Sequence, residues 1–365
     1  MDVVSILSDL VRINSVNPEW NGPGEAQVAG YVRQFFEDRH FDVWVDEVLP
    51  GRPNVYIRVP GKHPSRRLVL EAHMDTVSVA GMVIPPFEPT IKDGKLYGRG
   101  SVDVKSGLAG MMYAVSEVKD PNSEIWLAAV IDEEHAYRGV LGLIDQLPGA
   151  DACIVAEPTE NRIVRANKGV LRWKIRTLGK AAHSAMPHLG KNAIYEMAKV
   201  ISRIEKDNER LAGTVHPLVG PATCSVGTIS GGTQVNIVPE HCEIRLDRRL
   251  LPGEKADEVL SDYKELLADL EVEMLPPDLI DEAMETPEDA GIVSVSRSVL
   301  EKLSGNPEPI GVPYGCDVTK LSRAGIPGII FGPGSIEQAH GAIEYVEIDQ
   351  LERAAQFYTE MIRSF

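Results

Sequence analysis

Five side chains of the types that bind divalent metal ions follow short apolar segments of the chain or lie on turns beside them. They are two histidines and three carboxylic acids: His73, Asp103, Glu134, Glu157 and His340. Imidazole nitrogens and carboxylate oxygens are the ligands that zinc and related divalent ions take in proteins. Polar residues beyond the carboxyl ends of neighbouring strands in an open α/β sheet converge on one pocket. The set therefore predicts a pair of divalent ions, zinc first, and a hydrolase that uses them.

The segments that must position these ligands have the composition of buried strands. Residues 68–70 lead into His73, residues 125–131 lead into Glu134, and residues 152–156 lead into Glu157. Asp103 lies on a glycine-rich turn, where the alternative is a helix N-cap. His73 and Asp75, two residues apart, equally suit a structural hydrogen-bonded pair when they are considered alone.

Glu133 and Glu134 adjoin after the apolar segment 125–131. Neighbouring carboxylates at a buried strand end repel each other and need cations or protons. If Glu134 binds metal, Glu133 stays available as a general base. The alternative is a solvated acidic turn, which the preceding apolar run disfavours.

Composition and charge limit the classes of function. A chain of 365 residues favours two domains. The net charge of −17 argues against nucleic acid and against anionic membrane surfaces as partners. Four cysteines without a close pair favour reduced, buried thiols. The amphipathic N-terminal pattern predicts a helix rather than a signal peptide, so we expect a cytoplasmic protein.

The order of elements predicts a fold of the α/β class. Helix and strand patterns alternate up to about residue 165, which favours a mostly parallel sheet in a metal-binding catalytic domain. The following segment has the order β-α-β-β-α-β of a ferredoxin-like α+β domain, and the first pattern resumes after it. We therefore predict a catalytic domain at 1–167 and 283–365, interrupted by an inserted lid or dimerisation domain at 168–282.

With these motifs in this order, nearly the whole chain resembles the zinc-dependent aminoacylase and metallopeptidase family. That family includes acetylornithine deacetylase, succinyl-diaminopimelate desuccinylase, carboxypeptidase G and bacterial tripeptidases. The resemblance is carried by residues 71–77, 98–107, 132–134, 156–159, 179–187 and 332–340. The last of these segments is closest to the acetylornithine deacetylase form.

The resemblance implies a role for each matching residue of the metal site. His73, Asp103 and Glu157 would hold one ion, while Asp103, Glu134 and His340 would hold the other. The ions would be Zn²⁺, with Co²⁺ as the alternative. Glu133 would be the base, and Asp75 would support His73.

The resemblance also implies substrate contacts. His183, with Asn236, would stabilise the oxyanion, and Arg249 would bind a substrate carboxylate. The backbone N–H groups of Gly332 and Gly334 would contact the same end of the substrate. In the family, the lid histidine and asparagine usually reach the active site of the partner subunit, so the resemblance implies a homodimer.

The predicted reaction is hydrolysis of the amide bond of a small N-acyl amino acid, as in an acetylornithine deacetylase-like deacylase. A metallo-dipeptidase, tripeptidase or carboxypeptidase is the alternative within the enzymes. A non-catalytic metal-binding protein of the same fold is the alternative from another class. Glu133 disfavours that alternative, since a scaffold has no need of an acid beside its metal ligand.

Overall fold

The computed structural model describes all residues from Met1 to Phe365. The chain divides into two compact units. Unit 1 comprises residues 1–165, 286–310 and 316–365, and unit 2 comprises residues 166–285 and 311–315. No helix is both long enough and apolar enough to cross a membrane.

The first part of unit 1 alternates helices and strands, as the sequence predicts. Its elements are α1 (Val3–Arg12), α2 (Ala26–Glu37), β1 (Asp42–Leu49), β2 (Arg52–Val59), β3 (His63–His73), β4 (Thr90–Lys92), β5 (Lys95–Tyr97), α3 (Lys105–Glu117), β6 (Ser123–Val130), α4 (Arg138–Gln146), β7 (Ala152–Val155) and β8 (Val164–Asn167). Helix α1 begins where the Asp2 carboxylate accepts a hydrogen bond from the N–H of Ser5.

The intervening segment alternates buried and exposed residues along its longer strands. Its elements are β9 (Gly169–Leu178), β10 (Ala182–His183), α5 (Ala193–Ala212), β11 (Val215–His216), β12 (Gly220–Pro221), β13 (Thr223–Gly231), β14 (Ile237–Val238), β15 (His241–Leu250), α6 (Ala256–Leu266), β16 (Val272–Met274), β17 (Leu279–Asp281) and β18 (Met284–Glu285). The strand order β13-β15-β9-β16 contains the predicted β-α-β-β-α-β arrangement.

The last part of the chain returns to unit 1. Its elements are α7 (Gly291–Lys302), β19 (Ile310–Val312), α8 (Val318–Arg323), β20 (Gly328–Ile330), β21 (Tyr345–Glu347) and α9 (Ile348–Ser364). Three short 3₁₀ helices lie at Pro18–Trp20, Pro187–Leu189 and Ile336–Gln338.

The main sheet of unit 1 has the strand order β1-β2-β6-β3-β7-β20-β8. Its centre, β6-β3-β7-β20, is parallel, whereas β1, β2 and β8 pair antiparallel at the sides. Helices α1, α3 and α9 pack together over one face, and α4 and α8 pack over the other. The α/β fold with a mostly parallel central sheet is therefore confirmed.

Each unit has its own hydrophobic core. The core of unit 1 lies between the main sheet and the helices on one face, and includes Leu70, Leu127 and Tyr358. The core of unit 2 lies between its five-stranded sheet and α5 and α6, and includes Trp173 and Tyr263, whose rings meet edge to face. All four cysteines are free and buried, as the sequence predicts.

Candidate functional site

The parallel centre of the main sheet places the predicted metal ligands at one edge. Strand β3 ends at His73, β6 ends just before residues 132–134, β7 ends just before Glu157, and β20 ends just before the loop that carries His340. Because these four strands run in the same direction, their carboxyl ends meet. All five predicted ligands therefore lie in unit 1.

Hydrogen-bond distances show how closely the ligand atoms approach one another. His340 Nε2 lies 3.1 Å from Asp103 Oδ2 and 3.2 Å from Glu134 Oε1. On the other side, His73 Nε2 lies 3.2 Å from Asp103 Oδ1. Asp103 therefore directs one carboxylate oxygen toward each histidine, as a ligand that bridges two cations would.

Two overlapping groups of three side chains each have their ligand atoms within 4.8 Å of one another. One group is His73, Asp103 and Glu134, and the other is His73, Glu133 and Glu157. Glu157 and Glu133 thus both lie close to His73. These groups could hold a metal ion, and they bring the predicted base within reach of the predicted ligands.

The turn that carries Asp103 depends on close backbone packing. Gly100 has a φ of +79°, and a Cβ there would lie 2.9 Å from side-chain atoms of Lys105 and Thr76. Glu344 Oε1 accepts hydrogen bonds from the N–H groups of Val102, at 3.0 Å, and Asp103, at 3.3 Å. The N-cap of α3 is Val104, without a side-chain cap. The N-cap alternative for Asp103 is therefore wrong, and its carboxylate faces the histidines.

The structure gives Asp75 a broader role than the sequence predicts. His73 Nδ1 lies 3.0 Å from the main-chain oxygen of Asp75 and 3.6 Å from its carboxylate. A donor at Nδ1 leaves the Nε2 lone pair for a metal. The carboxylate instead accepts hydrogen bonds from the N–H groups of Glu133, at 3.1 Å, and Glu134, at 3.2 Å.

Burial excludes a solvated acidic turn at residues 132–134. The side chain of Glu134 is only 7% exposed, and Asp132 is fully buried. Burial raises the pKa of Glu134 to about 7, and the nearby Asp103 carboxylate adds to the rise. Burial likewise raises the pKa of Glu133 and of Glu157 well above their usual range.

The pKa of each histidine is raised as well, but by hydrogen bonds to carboxylates rather than by burial. Hydrogen bonds to Asp103 and Glu134 raise the pKa of His340 to about 10. Four carboxylates thus crowd against two imidazoles in a largely buried site: Asp103, Glu133, Glu134 and Glu157. Divalent cations would neutralise this charge, and nitrogen and oxygen donors of these types suit zinc. The donor set therefore fits a metal.

A second pair of buried carboxyl groups lies close to this cluster, and the sequence analysis missed it. Glu71 and Asp317 are buried, and apart from each other their carboxyl groups have no hydrogen-bond partner. Burial raises the pKa of Asp317 to about 7 and that of Glu71 well above its usual range, where Asp317 adds to the rise. The position of Glu71 within an apolar strand could have indicated a buried carboxyl group, whereas nothing in the sequence around Asp317 indicates burial.

The predicted residues of unit 2 fall into two places. His183 pairs with Ile237 in the small β10–β14 sheet, and the N–H of Ser184 donates to the main-chain oxygen of Asn236 at 3.0 Å. His183 and Asn236 are thus neighbours, and both are exposed. The N–H of Ala185 donates to His183 Nδ1 at 3.1 Å, so a neutral ring carries its proton on Nε2.

Arg249 lies on β15, in the five-stranded sheet of unit 2. Its Nε donates to Asp247 Oδ1 at 2.8 Å, and its side chain is 31% exposed. The adjacent Arg248 is buried on the opposite face of the strand, and its Nη2 lies 2.7 Å from Glu254 Oε1.

Gly332 and Gly334 differ from the prediction that their N–H groups contact substrate. The N–H of Gly332 donates to Thr159 Oγ1 at 3.1 Å, and that of Gly334 donates to Gln350 Oε1 at 2.8 Å. Both donors are therefore used within unit 1. These positions need glycine for packing, because a Cβ at Gly334 (φ +80°) would lie 2.3 Å from Val102 Cγ2.

Comparisons with known proteins find relatives that match nearly the whole chain. The model of peptidase family M20/M25/M40 matches residues 69–364. A probable succinyl-diaminopimelate desuccinylase of Staphylococcus aureus is 27% identical, with 98% of this chain and 96% of the relative covered. The acetylornithine deacetylase of Vibrio campbellii is 28% identical, with 96% and 94% covered. The crystal structure of a tripeptidase from Staphylococcus aureus superposes with a TM-score of 0.83 at 22% identity, covering 99% of this chain and 97% of that one.

Proposed function

The chain belongs to peptidase family M20/M25/M40 and is a metal-dependent hydrolase of amide bonds, and from this premise we propose that it removes the acyl group from a small N-acyl amino acid. The position of Glu133 carries the hydrolytic part of the proposal, while the N-acyl class of substrate rests on the similarity to a desuccinylase and a deacetylase. Glu133 lies within 4.8 Å of His73 and Glu157, while its neighbour Glu134 reaches His340. One acid is thus left for proton transfer beside a complete set of ligands, which a metal-binding scaffold would not need.

The proposed cofactor is a pair of divalent ions, Zn²⁺ first and Co²⁺ as the alternative. His73, Asp103 and Glu157 would hold one ion, and Asp103, Glu134 and His340 the other. When bound, such ions supply Lewis acidity toward an amide carbonyl and lower the pKa of water. The contacts of Asp103 with both histidines support its assignment as the shared ligand.

Glu133 is the proposed general base. Its carboxylate takes a proton from the attacking water and returns it to the nitrogen of the leaving amine, so that water and amide become carboxylic acid and amine. The N–H groups of Glu133 and Glu134 both donate to the Asp75 carboxylate, while the two side chains join different groups of ligand atoms, Glu133 with Glu157 and Glu134 with Asp103. That difference supports different roles for two adjacent residues.

Unit 2 is the proposed source of the substrate contacts. His183 would donate its Nε2–H to the oxyanion, assisted by Asn236. Arg249 uses its Nε for Asp247, so its terminal Nη groups are the ones proposed to bind the substrate carboxylate. We do not assign Gly332 or Gly334 to the substrate, because their N–H groups have partners in unit 1.

A homodimer is the proposed assembly, with lid residues acting on the site of the partner. Unit 2 exposes large apolar side chains around a cavity of about 780 Å³ formed by α5 and the loop before β14; Tyr195, Val235 and Ile237 are among them. Strand β13 lies at the edge of its sheet. Exposed apolar surface beside an unpaired strand edge favours association with a second copy.

The substrate class is tested by a panel assay with added zinc or cobalt. N-acetyl amino acids, N-succinyl amino acids, dipeptides and tripeptides are compared by kcat/KM. The proposal expects an N-acyl amino acid to give the highest value. Preference for peptides would replace it with the peptidase alternative, and an inert enzyme on the whole panel would favour the non-catalytic one.

A further inference from the structure

A buried network of hydrogen bonds lies behind the turn that carries Glu133 and Glu134. The Asp75 carboxylate accepts an N–H from each of them. It also accepts a hydrogen bond at Oδ2 from Asn17 Nδ2, at 2.8 Å. Asp75 is fully buried, so these donors determine where its carboxylate lies.

Asn17 bridges two carboxylates. The same Nδ2 that donates to Asp75 also lies 3.0 Å from Asp132 Oδ1, which is consistent with one of its two N–H groups serving each acid. The Asp75 carboxylate accepts hydrogen bonds from the turn at residues 132–134, and Asp132 is the first residue of that turn. The buried side-chain amide of Asn17 therefore connects Asp75 with Asp132.

The start of the turn is held from the other side as well. Asp132 has a φ of +66°, a left-handed conformation that is uncommon outside glycine. Arg52 Nη2 donates to Asp132 Oδ1 at 2.9 Å, and Glu25 Oε1 accepts the N–H of Asp132 at 3.2 Å. These contacts fix Asp132 in a conformation that the residue does not prefer by itself.

Asn17 is itself well positioned for this role. Its main-chain N–H donates to the oxygen of Thr76 at 2.9 Å, and the N–H of Thr76 donates to the oxygen of Ser15 at 3.1 Å. Its side-chain oxygen accepts the N–H of Glu19 at 3.1 Å, which fixes the orientation of the amide. The two N–H groups are therefore aimed at the two carboxylates.

We propose that Asn17 is a positioning residue for the general base: by joining Asp75 to Asp132, it sets the geometry of the turn from which Glu133 reaches its proton. Asn17 does not contact the substrate in this role. The proposal rests on the function proposed for Glu133. It extends that function to a residue on the N-terminal segment, more than a hundred positions away.

The main test replaces Asn17 by Asp. The substitution Asn17→Asp keeps the shape and the acceptor for Glu19, but turns the donor into a third acceptor. We expect kcat to fall about 10- to 100-fold, as misplacement of a catalytic group does, with KM and metal content within about twofold of the wild type. Asn17→Ser, which is too short to reach both acids, should give a similar loss.

One further variant makes the test specific. Asn14→Ala is the matched control, because Asn14 lies on the same segment and its side chain accepts only the N–H of Val16. That variant should keep wild-type kcat.

Hydrogen exchange separates this proposal from the proposed function. The peptide covering residues 131–136 should exchange about tenfold faster in Asn17→Asp, because the N–H groups of Glu133 and Glu134 lose a fixed acceptor. This readout holds even if the wild type were inert on every substrate tested. Unchanged exchange in this peptide, or wild-type kcat in both Asn17 variants, would overturn the role of Asn17.

Discussion

Replacing Glu344 by Ala should destabilise unit 1 by about 3–5 kcal/mol, the cost of removing one partner of a buried ion pair. Glu344 is fully buried, and its Oε2 lies 2.6 Å from Nη1 of Arg99, whose side chain is 2% exposed. Alanine leaves the N–H groups of Val102 and Asp103 without the oxygen that accepts them. It also leaves the guanidinium of Arg99 buried without its hydrogen-bonded partner, and these buried donors without an acceptor are the source of the loss.

The direction of the Glu344 pKa clarifies this estimate. Burial raises the pKa of Glu344, while Arg99 and the N–H of Val102 oppose the rise. The raised pKa means that the charge of Glu344 contributes no net stability by itself. The predicted loss therefore comes from the buried donors that lose their acceptor in Glu344→Ala.

Urea unfolding followed by tryptophan fluorescence is the assay. With an m-value of about 3 kcal/mol/M, the midpoint of unit 1 should fall by about 1–1.7 M. Glu347→Ala is the matched control, because Glu347 pairs with Lys95 at 3.9 Å and both side chains are about one-third exposed. Such a surface pair contributes about 0–1 kcal/mol. If Glu344→Ala lost no more stability than this control, the reasoning from burial would be refuted.

Four further outcomes are expected. Glu133→Gln should lower kcat about 100- to 10,000-fold while metal content, measured by elemental analysis, stays at the wild-type value; an active variant would remove the role of base. Glu134→Ala and His340→Ala should each lower the bound metal below two ions per chain, whereas full occupancy in both would contradict the ligand assignment. Zinc at 100 times its Kd should add about 2.7 kcal/mol per site to the free energy of unfolding, and an unchanged melting curve would count against a site formed only in the folded chain. Inactive His183→Ala subunits mixed with inactive Glu133→Gln subunits should regain activity by forming hybrid dimers; a mixture that stays inactive after demonstrated subunit exchange would exclude sites shared between subunits.

The sequence was sufficient to predict which ligands come together, because the topology of a parallel sheet makes that prediction. His73, Glu134 and Glu157 each follow a buried strand, and adjacent parallel strands end at the same edge. His340 follows β20, which pairs parallel with β7. That inference requires only the direction of each strand and the identity of the strands beside it.

What supports these ligands was not predictable in the same way. Asn17 and Asp132 meet although they are 115 positions apart, and Arg99 and Glu344 are 245 positions apart. A polar residue on a loop has many possible partners, and no periodicity selects among them. Gly332 and Gly334 show the related difficulty: a glycine pattern indicates close backbone approach, but only the structure shows that Thr159 and Gln350 take their N–H groups.

The position of β20 in the main sheet has a consequence for synthesis on the ribosome. This strand lies between β7 and β8, yet the chain is made through all of β8 and unit 2 before residue 328 appears. At about 5–20 residues per second, the interval between Val155 and Gly328 lasts about 9–35 s. During that time β7 has one unpaired edge, which is prone to pairing with other chains. His340 emerges later still, so the nascent chain can assemble His73, Asp103 and the glutamates only into an incomplete set of ligands. Binding of the proposed second ion would therefore follow translation through residue 340.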